Sequence, residues 1–139
     1  MDTIVQRFNK IKLNISSLKP MKPVNIIAVS KTFSIDHIIP LIKYGHFHYG
    51  ENKVQEAKAK WTEQKRQNIN IKLHMIGKLQ SNKVKDAVSL FDYIHSVDNQ
   101  KLADALYKHQ ANLNKKLKYF IQVNIGNEIQ KSGIPVNEL

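Results

Sequence analysis

Short apolar runs alternate with amphipathic segments along this chain, roughly every 20 to 27 residues. That recurrence constrains the fold most. Strand–helix units joined by right-handed crossovers lay their strands in one parallel sheet. The runs are Ile26–Val29, Phe47–Gly50, Ile71–Ile76, Tyr93–His95 and Tyr119–Ile125. In the last of them Gln122 and Asn124 share one face, and Ile121 and Val123 the other. Ahead of the first run, Ile4, Phe8, Ile11, Ile15 and Leu18 recur at steps of three and four. They predict an N-terminal helix capped by Asp2 or Thr3 and ended by Pro20 and Pro23.

Further helices follow each strand. Ser34 opens one, Pro40 predicts a late start or a bend in it, and Gly45 is its natural C-cap. Another carries Val54, Ala57 and Trp61. A short one near 83–90 is predicted to be capped by Ser81. The last holds Leu102, Ala105 and Leu106, with Ser96 or Asp98 as its cap. The fold class is therefore α/β, built of parallel βα units with an N-terminal helix. A (β/α)8 barrel needs eight units, and about five are visible in the 139 residues. The pattern fits an open sheet or the first part of a barrel. Residues 1–139 are read as one C-terminally truncated domain, since Pro135–Leu139 looks like the first turn of another helix. Five strands cannot close a barrel, so Val29, Ile76 and Val123 are expected to face water. The first and fifth strands are expected to offer unpaired edges. Such a chain is expected to be marginally stable, or to associate with itself or with a C-terminal partner.

Composition excludes several function classes. There is no cysteine, which removes disulfides and thiolate metal sites and fits a reducing compartment. No apolar run approaches the roughly 20 residues that span a bilayer, and the N-terminus lacks the pattern of a signal peptide. The expected location is the cytoplasm. The net charge of +11 invites a nucleic-acid reading. The cations are spread along the chain, however, and only Arg7 and Arg66 are arginine, so no specific nucleic-acid partner is expected. His46, His48, His74 and His95 lack HExxH or HxxE spacing and are read as satisfied strand histidines rather than metal ligands. G-x-S-x-G, G-x-G-x-x-G and P-loop patterns are absent.

The candidate chemistry sits where Ile26-Ile27-Ala28-Val29 runs into Ser30-Lys31-Thr32. A continuous apolar run reads as a strand buried on both faces. Lys31 then lies at the carboxyl end of a buried strand, where parallel α/β folds bind ligands. A desolvated lysine there can attack a carbonyl through its neutral amine and form a Schiff base. A lysine that caps the strand and reaches water fits the same position. Polar residues also follow the other strands: Gly50-Glu51-Asn52, Gly77 with Gln80-Ser81-Asn82-Lys83, Ser96-Val97-Asp98, and Gln122 with Asn124. In a parallel sheet these line one rim.

Several short motifs occur in order. They are Ala28–Thr32, Gly50-Glu51-Asn52 with Val54-Gln55-Glu56, His74-Met75-Ile76-Gly77, Leu79–Lys83, His95–Asp98, Gln122–Ile125 and Lys131-Ser132-Gly133. Together they resemble the pyridoxal phosphate homeostasis proteins, relatives of the alanine racemase N-terminal domain. The resemblance implies a TIM-like barrel that holds pyridoxal 5′-phosphate (PLP) as a Schiff base on Lys31. It implies a cofactor-binding set of Lys31, Asn52, His74, Ser81, Asn82, Gln122, Asn124 and Lys131. Asn52 would lie beside the ring, Gln122 and Asn124 would give inner-face support, and Lys131 would serve PLP exchange. No catalytic residue and no metal ligand is carried over. Family members are regarded as carriers or regulators of B6 vitamers, and apo PLP enzymes are possible partners. Phe33, Lys53 and Lys78 depart from the usual lysine, tyrosine and proline. The family's phosphate-holding segments come later than Leu139, so PLP binding by this chain is expected to be weak. The rivals are a racemase-like enzyme with Lys31 as base, and a non-functional remnant or half of a two-chain barrel.

Overall fold

The computed structural model describes residues 1–139. Its main sheet has five parallel strands in sequence order: β1 (Ala28–Val29), β2 (His48–Glu51), β3 (Lys72–Met75), β4 (Tyr93–Val97) and β5 (Lys118–Ile121). Helices α1 (Ile4–Ser17), α2 (Ile35–Lys43), α3 (Val54–Gln67), α4 (Val84–Leu90) and α5 (Gln100–Ala111) alternate with them. Two residues at each of Val123–Asn124 (β6) and Ile134–Pro135 (β7) pair as a separate parallel ribbon. Sequential strand order with a helix after each of the first four strands is the arrangement of an incomplete (β/α) barrel.

Strand alternation divides the sheet into two unlike faces. Tyr49, Leu73, Met75 and Ile94 point toward the helices and are at most 1% exposed. They pack with Trp61, Val84, Ala87, Val88 and Leu106 in one core. His48, His74, Tyr93, His95 and Phe120 alternate with them on the opposite face. Phe120 there is 49% exposed.

Several expectations need correction. The first apolar run is not a strand buried on both faces. Only Ala28 and Val29 pair, and Val29 is 51% exposed because nothing covers that face of the edge strand. The fifth run is not one strand: the main-sheet pairing ends at Ile121, and Val123–Asn124 pair with β7 instead. The N-terminal stripe is buried only at its start, with Phe8 inside but Ile11 50% and Leu18 81% exposed. Helix α2 does not start late: it begins at Ile35 and carries Pro40 inside it. Ser81 does not cap α4 but begins a 3-10 turn, Ser81–Lys83, that leads into it. Asn99, rather than Ser96 or Asp98, caps α5 by accepting the Leu102 N–H at 2.8 Å.

Other local signals stand. Thr3 caps α1 in a reciprocal capping box with Gln6. Gly45, at φ +100°, ends α2. Its N–H reaches Ile42 O at 3.0 Å and the His46 N–H reaches Leu41 O at 3.1 Å, the double closure of a Schellman turn.

The two edges are short or exposed: β1 pairs only two residues, and Tyr119, Phe120 and Ile121 on β5 are 37%, 49% and 61% exposed. Unpaired apolar edges recruit further strands. The 139-residue chain is therefore expected to self-associate as its concentration rises, and Ile121→Lys is expected to shift it toward monomer. Sedimentation velocity over a concentration series checks this. A chain that stays monomeric at every concentration and melts sharply would show that the edges are closed in another way.

Candidate functional site

Lys31 lies in a tight turn at the carboxyl end of β1. The Phe33 N–H closes it on Ser30 O at 3.2 Å, and Thr32 takes φ +67°. A β-branched residue in that left-handed region stores strain of order 1–3 kcal/mol. The strain is held by helix α3. Glu56 Oε1 accepts the Thr32 N–H at 2.6 Å. That backbone hydrogen bond, with Lys60 adding to it, holds the Glu56 carboxyl below the usual glutamate range.

Beneath the turn lies a buried charged network. Glu51 is fully buried. Its Oε1 accepts hydrogen bonds from Ser30 Oγ, Lys60 Nζ and Trp61 Nε1, each at 2.8 Å. Lys60 Nζ also donates to Ser30 O at 2.8 Å and lies 3.3 Å from Glu56 Oε1. A charge buried this deeply depends on its partner, and removing Lys60 alone would cost about 3–5 kcal/mol. Glu51 thus belongs to the helix side of the sheet and not to the open rim. Ser96, 3% exposed, is likewise inside.

Lys31 itself is exposed, so burial does not strip its amine of water, contrary to the expectation of a desolvated lysine. It joins none of the chain's ion pairs. On the neighbouring strand end, Asn52 is half-buried and its Oδ1 is buried without a hydrogen-bond partner. Gly77 presses against it: a Cβ at Gly77 would lie 2.5 Å from Asn52 O, so only glycine lets the loop after β3 approach this closely. A cleft of about 520 Å³ opens here, lined by Asn52, Gly77, Gln80 and the lysines 53, 78 and 83. Lys31, at the end of the adjacent strand, is not among the residues that line this cleft.

The remaining candidates are dispersed. Ser81 and Asn82 are exposed in the 3-10 turn. His74 is not at the rim but 4% exposed on the open face of β3. Gln122 links β4 to β7 through its backbone, donating to Val97 O and accepting from the Ile134 N–H, each at 2.8 Å. Asn124 spends its amide on its own loop, bonding Glu128 O at 2.7 Å. Lys131 is exposed, 4.0 Å from Glu128. These last three follow β5, at the sheet edge opposite Lys31.

The family described as alanine racemase, N-terminal domain, matches residues 7–139. The chain belongs to that family. It is 37% identical to the pyridoxal phosphate homeostasis protein of Pasteurella multocida, over 99% of this chain and 61% of that protein. It is 38% identical to the protein of the same name from Buchnera aphidicola (Schizaphis graminum), over 91% and 60%. Among solved structures, PipY of Synechococcus elongatus without PLP superposes with a TM-score of 0.79 at 38% identity, over 91% of this chain and 60% of that one. PipY with PLP bound gives 0.74 at 37% identity, over 89% and 57%. The chain thus spans about three fifths of the length of the curated relatives it matches.

Within this alanine racemase N-terminal-type sheet, sequence reasoning missed two features. One is the Glu51–Lys60–Glu56 network, whose only signal was the i,i+4 spacing of Glu56 and Lys60 on a helix. The other is an imidazole row across three strands. His48 Nδ1 meets His74 Nε2 at 2.9 Å, and His74 Nδ1 meets His95 Nε2 at 2.8 Å. His74 also stacks on Tyr93 at 4.1 Å. The reading of satisfied strand histidines agrees with this geometry for His48, His74 and His95, whose rings bond one another, whereas His46 lies before β2 and its Nε2 pairs with His48 O at 2.9 Å.

Burial, and then the His95 and His48 rings, push His74 down from 6.5 to about 4. Between these values the unfolded chain binds a proton that the folded chain refuses. Stability is therefore expected to fall as pH drops from about 6.5 toward 4, with His46, His48 and His95 shifted in the same direction. Urea midpoints across this window check it. His74→Asn should flatten the slope; a midpoint independent of pH would contradict the assignment.

Proposed function

We propose that this chain is a PLP-binding protein of intracellular PLP homeostasis, a carrier or regulator rather than a catalyst, with Lys31 as its Schiff-base lysine. The observation that carries the reading is the free Lys31 amine on a braced turn, one strand from the unpartnered Asn52 amide. The 37% identity to a PipY structure solved with PLP supports the cofactor. PLP supplies an aldehyde that a lysine amine captures with loss of water. Lys31 would hold it, and Asn52 would orient the ring. Gly77 keeps space beside Asn52 because any side chain there would collide with its backbone. The other residues carried over from the resemblance, His74, Ser81, Asn82, Gln122, Asn124 and Lys131, remain part of the proposed set.

Residues 1–139 act as one domain in this reading, in the cytoplasm. The lack of cysteine fits that compartment, and no helix is long and apolar enough to cross a membrane. B6 vitamers and apo PLP enzymes are the proposed partners. The exposed β1 and β5 edges support a further partner: a second copy, or a polypeptide supplying additional βα units.

Incubation with PLP should give a visible absorption band that borohydride fixes, and peptide mapping should find the adduct on Lys31. Lys31→Ala should abolish that adduct. Labels scattered over surface lysines and unchanged by Lys31→Ala would refute the assignment.

A further inference from the structure

We infer that Glu56 and Lys60 on α3 are positioning residues that set the direction in which Lys31 leaves the sheet. The inference rests on the proposed role of Lys31.

The backbone is gripped on both sides of that lysine. On its N-terminal side, Lys60 Nζ holds Ser30 O at 2.8 Å, while Ser30 Oγ is tied to Glu51 at 2.8 Å. On its C-terminal side, Glu56 holds the Thr32 N–H at 2.6 Å. Every one of these partners comes from β2 or α3, so the turn is anchored to the neighbouring βα unit and not to its own helix. Thr32 at φ +67° shows why an anchor is required. The turn asks for glycine or asparagine at that position, and a threonine placed there relaxes unless its N–H is held. Relaxation of Thr32 rotates the preceding peptide and swings the Cα–Cβ bond of Lys31. An exposed lysine side chain is flexible, so its root is the part of the site that the fold can fix. The anchor is asymmetric in burial: the side chain of Lys60 is 8% exposed and that of Glu56 30%. Glu56 can therefore be altered with little damage to the core, whereas Lys60 cannot.

The test times the appearance of the borohydride-fixed Lys31 adduct with PLP, by mass spectrometry, on protein shown to be folded by circular dichroism. Glu56→Ala should slow Lys31 labelling about tenfold, since small misplacement of a reacting group is costly. Glu56→Gln keeps an oxygen that accepts the Thr32 N–H and should restore most of the rate. Glu63→Ala, on the same helix but paired only with Arg66 and Gln67, should label like the unsubstituted chain. Lys60→Met is made together with Glu51→Gln, so that no buried charge is stranded, and should also slow labelling. A merely structural role would lower the melting temperature of Glu56→Ala without changing labelling of the folded fraction. A Lys31 adduct that forms equally fast in Glu56→Ala overturns this inference and leaves Lys31 as the attachment lysine. No Lys31 adduct in the unsubstituted chain overturns both.

Discussion

The buried Glu51 carboxylate is the constraint around which the β1–β2–α3 corner is organised. A carboxylate shut away from water needs partners, and one oxygen of Glu51, Oε1, draws hydrogen bonds from β1, through Ser30, and from α3, through Lys60 and Trp61, while Oε2 is buried without a partner. Strand β1 has only two paired residues and cannot hold its place through the ladder alone. The polar network supplies what the ladder lacks, and the turn bearing Lys31 inherits its rigidity from that corner.

The sheet has two unlike faces for physical reasons that reinforce one another. On the helix side, Tyr49, Leu73, Met75 and Ile94 bury apolar surface against α3 and α4. On the other side, imidazoles replace aliphatic side chains. Their ring nitrogens bond across neighbouring strands, and Tyr93 and Phe120 stack on His74 and His95. This face can therefore stand partly open without presenting a wholly apolar surface. The cost is a row of imidazoles whose proton affinity is lowered by burial, so that acid works against the folded state.

Much of the architecture was legible because local signals and tertiary demands agreed. The βα recurrence, Thr3 as cap and Gly45 as stop all appear where the sequence puts them, since each rests on contacts within a few residues. The errors fall where a distant partner decides. Ile26 and Ile27 read as strand, but pairing with β2 begins only at Ala28, opposite Tyr49. The run through Gln122 reads as continuous, but β7 captures its second half. Asn99 rather than Ser96 caps α5 because β4 extends through Val97 and keeps Ser96 inside.

The candidate site divides along the same line. The sequence by itself determined that Lys31 ends the first strand, that polar residues follow the other strands, and that the motifs are those of the alanine racemase N-terminal family. Periodicity and order along the chain suffice for such statements. Only the tertiary structure decided that Lys31 is exposed, that Glu51 faces the helices, and that Asn124 serves its own loop. It alone joined Glu56 and Lys60 to the backbone around Lys31, across 24 to 30 residues of chain. Those outcomes depend on which face of a strand meets which helix. That is settled by packing and by the need to satisfy buried charge, and neither leaves a periodic trace in the sequence.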